Sequence, residues 1–382
     1  MTRPFIAKQD LFEARSHGYR TCRIPAVAAT GSDTVLVTAE ARTGQGGDFD
    51  DSDVLLRRSI DGGKTFGSVV KMVDHRTFGN GPTHNVVMIP DKDDGPVHVL
   101  FCHDYARVFS TRSDDDGITF SEPVDITHVF DKFRGEYPWR VCATGPGHGL
   151  QLRNGRLIVP VWLSDETGTE MGAGLRGHRP SIVSLIYSDD HGATWRRGEM
   201  VCRHGDRVGR VDVVNPSESV AVELSDGRVL FNIRSESRAE RRLLAISPDG
   251  VTDWDIVGFD DALLEPVCMA AILRYDWPHD NEPGRILFAN PRNLENRIIP
   301  PGGHLARDRK CLTVQLSEDD GTNWRIARAL EAGPAGYSDM ARLRDGTILC
   351  FYECGRVEHM CDVRYLRLAR FNMTWLAGEE DP

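Results

Sequence analysis

An all-β fold, a six-bladed β-propeller of four-stranded antiparallel blades, is what this sequence predicts, on three observations. Hairpin signatures recur six times along the 382 residues. A short turn motif alternates with them. Strand periodicity dominates, and no long amphipathic helix stands out. Length alone suggests two or three domains, but fixed-period repeats override that prior, so residues 1–382 read as one domain with no linker.

The hairpins come in order. The first runs from Ala26 through Gly31-Ser32-Asp33 to Glu40, and the second from Val86 through Asp93-Asp94-Gly95 to Phe101. The third spans Leu150 to Trp162 around Asn154-Gly155. The fourth is the clearest. Val220, Val222 and Leu224 alternate with polar residues, Ser225-Asp226-Gly227 turns the chain, and Val229, Phe231 and Ile233 alternate again. The fifth spans Ala270 to Phe288 with a longer loop at Trp277 to Gly284, and the sixth spans Met340 to Tyr352 around Asp345-Gly346. The segments Phe5 to Leu11 and Val363 to Arg370 are expected to pair within one blade and close the ring.

Ser59 to Phe66, Ser113 to Phe120 and Ser188 to Trp195 read S-x-D-x-G-x-T-(F/W). Ser317 to Trp324 keeps all but the threonine, which is Asn323, and Ser247 to Trp254 is a decayed copy. Each is read as a tight turn: the aspartate accepts backbone N–H groups, glycine supplies a positive φ, and the aromatic packs on a sheet. Asp114-Asp115-Asp116-Gly117 invites a calcium reading, but the loop lacks the closing glutamate of an EF-hand, so no metal is expected.

Composition narrows the partners. A net charge of −11 disfavours nucleic acid and anionic membranes, so an anionic ligand needs a local positive site. No apolar run reaches membrane-spanning length. The N-terminal stretch lacks the apolar core of a secretory signal, and nine cysteines without CxxC spacing suggest reduced thiols. Together these suggest a cytoplasmic chain.

Repeat geometry then gathers particular residues. Glu218 stands eight before Asp226 and Arg234 eight after it, so the hairpin brings them together at its open end. Arg23 precedes the first hairpin's turn by about as much, and Tyr337 stands eight before Asp345. Arg42 and Arg234 close the returning strands of their hairpins. A tyrosine, a glutamate and at least three arginines are therefore expected in one central pocket. Converging guanidiniums suit a ligand carboxylate, which the planar fork binds with two parallel hydrogen bonds. A tyrosine beside a glutamate can lose its proton as it attacks, giving a nucleophile without a standing negative charge. Aspartates on a nearby loop can supply a general acid. Taken singly, these arginines read as surface ion-pair partners, and Glu218 with Arg234 as a cross-strand pair. Their joint placement favours function.

The same residues carry a resemblance. Tyr19-Arg20-Thr21-Cys22-Arg23-Ile24-Pro25 resembles the Arg-Ile-Pro motif of sialidases (neuraminidases), and the turn motifs resemble their Asp-boxes (BNR repeats). Glu218 to Leu224 followed by Asn232-Ile233-Arg234 resembles the segment bearing the family's glutamate and second triad arginine, and Gly336-Tyr337-Ser338 its nucleophile site. The resemblance runs from Gln9 to Trp375. It implies an exo-acting, retaining glycoside hydrolase with a tyrosine nucleophile, without cofactor, acting on a small molecule or glycan that bears an acidic sugar. Tyr337 would attack the anomeric carbon and Glu218 take its proton. Arg23, Arg234 and a third arginine, Arg309 or Arg307, would clamp the carboxylate, and Arg42 would contact a ring hydroxyl. Asp48 fits the family's spacing for the acid, with Asp50 and Asp51 as competitors and a plain solvated loop as the other reading. Cys22 stands where the family often has tyrosine and reads as a small wall residue. The stretch Ile298 to Lys310 is unusual for the family. His148 reads as a hydrogen-bonded histidine, and His84 either as a pocket contact or as structure. A sialic acid, a deaminated or an eight-carbon ulosonic acid, and a non-catalytic carbohydrate-binding propeller are the competing readings.

Overall fold

Alternating apolar residues become paired strands wherever the turn chemistry allows. The computed structural model describes residues 3–92, 95–168, 177–296, 308–358 and 362–378. Among the described residues it is nearly all-β, with short helices only at Thr127–Asp131 and Met373–Ala377 beside single turns of 3₁₀ helix.

The first sheet orders Thr21–Ala29, Val35–Arg42, Ser52–Ser59 and Val70–Val73 in sequence. The second orders Thr83–Pro90, Val97–His103, Arg107–Ser113 and Val124–Asp125 the same way. A later sheet repeats the pattern with Ser219–Glu223, Val229–Ile233, Arg241–Ser247 and Asp255–Leu264. The opening strand of the third unit departs from expectation. It is broken at Gly145-Pro146-Gly147: Val141–Thr144 and Leu150–Gln151 both pair with Leu157–Ser164, while Gly147–His148 pairs in parallel with Thr83–Pro90 of the preceding sheet. The fifth and sixth units are fused through one 17-residue strand, Ile326–Arg342. Its first half pairs with Lys310–Ser317 and its second with Ile348–Arg356, giving a seven-stranded sheet. Ile6–Glu13 pairs antiparallel with Val363–Phe371, as expected for the two ends of the chain.

Each sheet packs on the next, and the succession returns to its start. Leu36 and Val54 meet Met88 and Phe101. One large cluster joins Leu100, Val159 and Phe231. Val220 and Leu230 then meet Ile272 and Phe288, and Leu287 and Leu312 meet Tyr352. Phe351 and Leu368 finally pack on Val27 and Val37 of the first sheet.

The turn motifs form as read. Ser59 Oγ accepts from Gly63 N at 2.8 Å, while Asp61 accepts from Lys64 N, Thr65 N and Thr65 Oγ1 at 2.7–3.0 Å. At the fourth copy Asn323 Nδ2 donates to Asp319 at 2.7 Å, so the amide replaces the missing hydroxyl. Gly117 shows why glycine is needed: its φ is +79°, and a Cβ there would lie 2.5 Å from Leu36 Cδ2. The motif aromatics Phe66, Phe120, Trp195, Trp254 and Trp324 all pack on the sheet clusters.

Eight of the nine cysteines fall among the described residues, and no disulfide joins them. Cys22 corrects its expected place. It is buried between the first and last sheets rather than on a pocket wall, because it faces Phe12, Val363 and their neighbours, and burial pushes its thiol up to about 12.

Candidate active site

Several strands present their ends at one point, and three of them carry the same local irregularity. Pairing slips between Arg23 and Ala26, between His84 and Val87, and between Ala335 and Ser338. Such bulges re-aim a side chain while the rest of the strand stays in register. Ile24 takes a φ of +56°, which is costly for a β-branched residue, and its N–H is held by Glu353 Oε1 at 3.1 Å. Asn85 at +53° is held in the same way by Glu40 Oε1 at 2.6 Å.

Tyr337 stands in the middle of this end, buried over Ile24, Cys268 and Met269. Its hydroxyl donates to Glu218 Oε1 at 2.7 Å and accepts from Arg234 Nη1 at 2.7 Å. Arg234 also donates to Glu218 Oε2, so the three side chains form a closed triangle. The Arg23 and Arg309 guanidiniums lie 5.3 and 5.2 Å from the Tyr337 ring centroid. Burial and the Glu218 carboxylate hold the phenol well above its usual range against the pull of Arg234, so it rests protonated.

The arginines are themselves held. Glu353, almost wholly buried, accepts from Arg23 Nε at 3.0 Å, from Arg23 Nη2 at 3.3 Å and from Tyr337 N at 3.1 Å. Burial alone would raise this carboxyl, but Arg23 outweighs it and keeps it below the usual range. Arg309 donates to the Val267 carbonyl at 2.6 Å. Arg42 donates to Glu40 Oε2 at 2.8 Å on one side and to Asp48 Oδ1 at 2.6 Å on the other.

The three loop aspartates separate cleanly. Asp48 sits against Arg42 with its side chain 46% exposed. Asp50 instead accepts from Gln45 N and Gly47 N, closing its own turn, and Asp51 accepts from Gly81 N at 2.9 Å. The Arg42 guanidinium, with Arg23 further off, holds the Asp48 carboxyl well below the usual range. Arg307 and most of the stretch Ile298 to Lys310 lie outside the described residues.

His84 is fully buried, takes a backbone hydrogen bond from Tyr105 N at 3.0 Å and stacks on the Tyr105 ring, which makes it structural rather than a pocket contact. Its ring is pushed down to about 3 by burial. His148 is hydrogen-bonded as read, 2.5 Å from the buried Asp339.

Sequence reading missed several neighbours. Glu353 was within reach of the repeat argument, since it follows Tyr337 by sixteen residues as Arg234 follows Glu218. Beyond Asp48 lies an aromatic wall. His178 stacks on Phe49 at 4.9 Å, lies 4.9 Å from Tyr105, and meets Trp162 edge-on at 5.4 Å. No repeat or motif marks His178. Among the described residues, Asp53, Asp74 and His75 are close enough to share a metal ion, but Lys71 Nζ already lies 2.8 Å from Asp53.

A phenol hydrogen-bonded to a carboxylate and ringed by guanidiniums, on a scaffold of repeated Asp-containing turns, can be set beside known proteins. Residues 33–350 match the model of the BNR repeat-like domain. The chain belongs to that family. Among curated relatives, it is 29% identical to a sialidase of Micromonospora viridifaciens, over 98% of this chain and 55% of that protein. It is 26% identical to a sialidase of Bacteroides fragilis, over 88% of this chain and 60% of that one. The chain thus spans little more than half the length of these two relatives. A solved structure of a Hadza microbial sialidase superposes with a TM-score of 0.75 at 21% identity, covering 95% of this chain and 68% of that one. The resemblance drawn from the motifs is borne out: this is a BNR-repeat chain whose curated relatives and structural neighbours are sialidases, and those neighbours are β-propellers.

Proposed function

We propose that this chain is an exo-acting, retaining glycoside hydrolase that releases terminal α-linked sialic acid, built as a single six-bladed β-propeller domain. The cyclic packing of the sheets supports the blade count, with the strand Ile326–Arg342 shared by two blades. The observation that carries the functional reading is the triangle of Tyr337, Glu218 and Arg234 between the Arg23 and Arg309 guanidiniums.

In this reading Arg23, Arg234 and Arg309 bind the sugar carboxylate. Their forks fix the ring so that its anomeric carbon faces the Tyr337 oxygen. Attack by that oxygen forms the glycosyl–tyrosine bond as the phenolic proton passes to Glu218. A neutral nucleophile avoids the repulsion that a carboxylate nucleophile would meet from the substrate's own carboxylate. The departing aglycone oxygen takes a proton from Asp48, whose exposure puts it at the mouth of the site. Water, deprotonated by Asp48, then attacks the same carbon, and the Tyr337 oxygen leaves and recovers its proton from Glu218. Asp48 is ionised while Arg42 holds it, so in this reading the entering sugar parts the two and Asp48 takes its proton from solvent before the aglycone departs.

A panel of fluorogenic ketosides of sialic, deaminated and eight-carbon ulosonic acids tests the reading on the wild-type chain. Release of fluorophore from the sialic ketoside, with retained anomeric configuration in the first product, is expected. Preference for either of the other ketosides would move the substrate class, and no turnover of any would leave a carbohydrate-binding propeller.

A further inference from the structure

We infer that the buried ion pair of Arg242 and Glu265 is a positioning device that sets two of the clamp arginines, Arg234 and Arg309, in their carboxylate-binding geometry. The inference rests on the functional reading above. It concerns a pair that does not itself touch the proposed substrate.

Arg242 is fully buried, and each edge of its guanidinium is used. Nε donates to Asn232 Oδ1 at 2.5 Å and Nη2 to the Asn232 carbonyl at 3.0 Å. Asn232 lies in the strand Val229–Ile233 and Arg234 directly follows that strand, so this grip fixes the backbone from which Arg234 departs. On the other edge Nη1 donates to Glu265 Oε2 at 2.5 Å and to the Cys268 carbonyl at 3.1 Å. Glu265 Oε1 accepts in turn from Cys268 N at 2.9 Å, which pins the turn between them. Val267 inside that turn has a φ of +61°, a conformation a β-branched residue keeps only when its surroundings impose it. The Val267 carbonyl is the group that receives Arg309 Nη2 at 2.6 Å. One guanidinium therefore joins the strand behind Arg234 to the turn that aims Arg309.

Stability alone gives no reason for this pair. Burying two charges costs several kcal/mol, and an apolar replacement of similar volume is often neutral or better. What an apolar residue cannot do is hold several acceptors at fixed angles in one plane, as the fork does. Glu265 also faces Arg234 closely enough to favour its charge, which offsets the mutual repulsion of guanidiniums crowded round Tyr337.

The test uses the whole chain. Arg242→Met combined with Glu265→Gln removes both charges together and keeps an oxygen for Cys268 N, so no lone charge is left buried. Arg242→Lys keeps the charge but loses the fork. Affinity for the 2,3-unsaturated analogue of sialic acid is measured by calorimetry, KM and kcat with the fluorogenic sialoside, and folding by thermal melting. The double variant is expected to melt within a few degrees of wild type while its Kd and KM rise about tenfold or more. Arg242→Lys is expected not to restore either constant. Adding Arg234→Lys to the double variant is expected to cost less than it costs in the wild type, since the side chain is already misplaced. Wild-type Kd and KM in the double variant overturn the inference; should that variant melt early, wild-type constants in Arg242→Lys overturn it instead. A wild-type protein that neither binds the analogue nor turns over the sialoside removes the functional reading, and the inference with it.

Discussion

Tyr337 has two partners on one oxygen, and removing that oxygen separates chemistry from binding. Tyr337→Phe is expected to lower kcat by about a thousandfold or more while the unsaturated analogue still raises the melting temperature. Undiminished turnover would end the nucleophile assignment. Arg234→Lys keeps a charge but cannot reach Glu218, Tyr337 and a ligand carboxylate together, so kcat/KM is expected to fall by ~10- to 100-fold. The loop aspartates give a sharper contrast. Asp48→Asn is expected to slow release of a poor leaving group by ~100-fold or more, with a smaller effect on an activated fluorophore. Asp50→Asn and Asp51→Asn, which alter turn contacts instead, are expected to leave that ratio unchanged; an altered ratio in Asp50→Asn would reassign the acid. At this scale the sequence disclosed residues that the repeat or the Arg-Ile-Pro motif marks. Arg23, Arg234, Glu218 and Tyr337 occupy positions at matching distances from their hairpin turns, so spacing alone placed them together. His178 and Phe49 were illegible because their side chains converge through loop packing, which has no period. Arg242 was missed for another reason: a charged residue inside a strand looks like a solvent-facing one until the strand's neighbours are known.

At the scale of single elements, the turn motifs are small enclosed hydrogen-bond systems. Hydroxyl and amide donors from Thr119 and Thr194 hold Asp115 and Asp190 down to about 2, so both turns keep their charge through mildly acid conditions. Asp61→Ala is expected to lower the melting temperature by ~2–4 °C without changing KM, since Asp61 accepts bonds within its own turn and belongs to no site contact. Gly117→Ala is expected to cost more, about 1–3 kcal/mol, because a Cβ collides with Leu36 in a left-handed backbone. A denaturant midpoint unchanged in Gly117→Ala would show that the turn can relax away from that contact. The motifs were fully readable, including Asn323 in place of threonine, because their chemistry is local. The broken opening strand at Gly145-Pro146-Gly147 was not readable as such. Its residues look like one segment leading into a hairpin, and only the neighbouring sheet decides that Gly147–His148 pairs sideways.

At the scale of the whole molecule, His148 and Asp339 bind distant parts of the chain. Asp339 accepts from His148 Nδ1 at 2.5 Å and from Val27 N at 2.8 Å, so the pair links the third unit, the sixth and the first. Burial alone would lower His148, but the Asp339 carboxylate outweighs it and raises the ring above its usual 6.5. Because the folded value lies above the unfolded one, this contribution to stability is complete below pH about 6.5 and fades as the pH rises through the folded value. The difference in melting temperature between wild type and His148→Gln is therefore expected to be larger at pH 6 than at pH 9. A constant difference across that interval would remove the charged pair from the account. The cyclic order of the sheets was legible from repetition. The fusion of two units through Ile326–Arg342 was not, because strand ends are set by how far neighbours keep pairing.

The bond between Arg23 and Glu353 crosses 330 positions of sequence. A nascent chain therefore has four of its five box turns and most of its hairpins about a hundred residues before Glu353 is made. The first clamp arginine waits without its carboxylate until the closing strands emerge. Any species that ends before Glu353, whether from arrested synthesis or from proteolysis in the last unit, should be well stocked with β-structure yet leave Arg23 without the carboxylate that holds it.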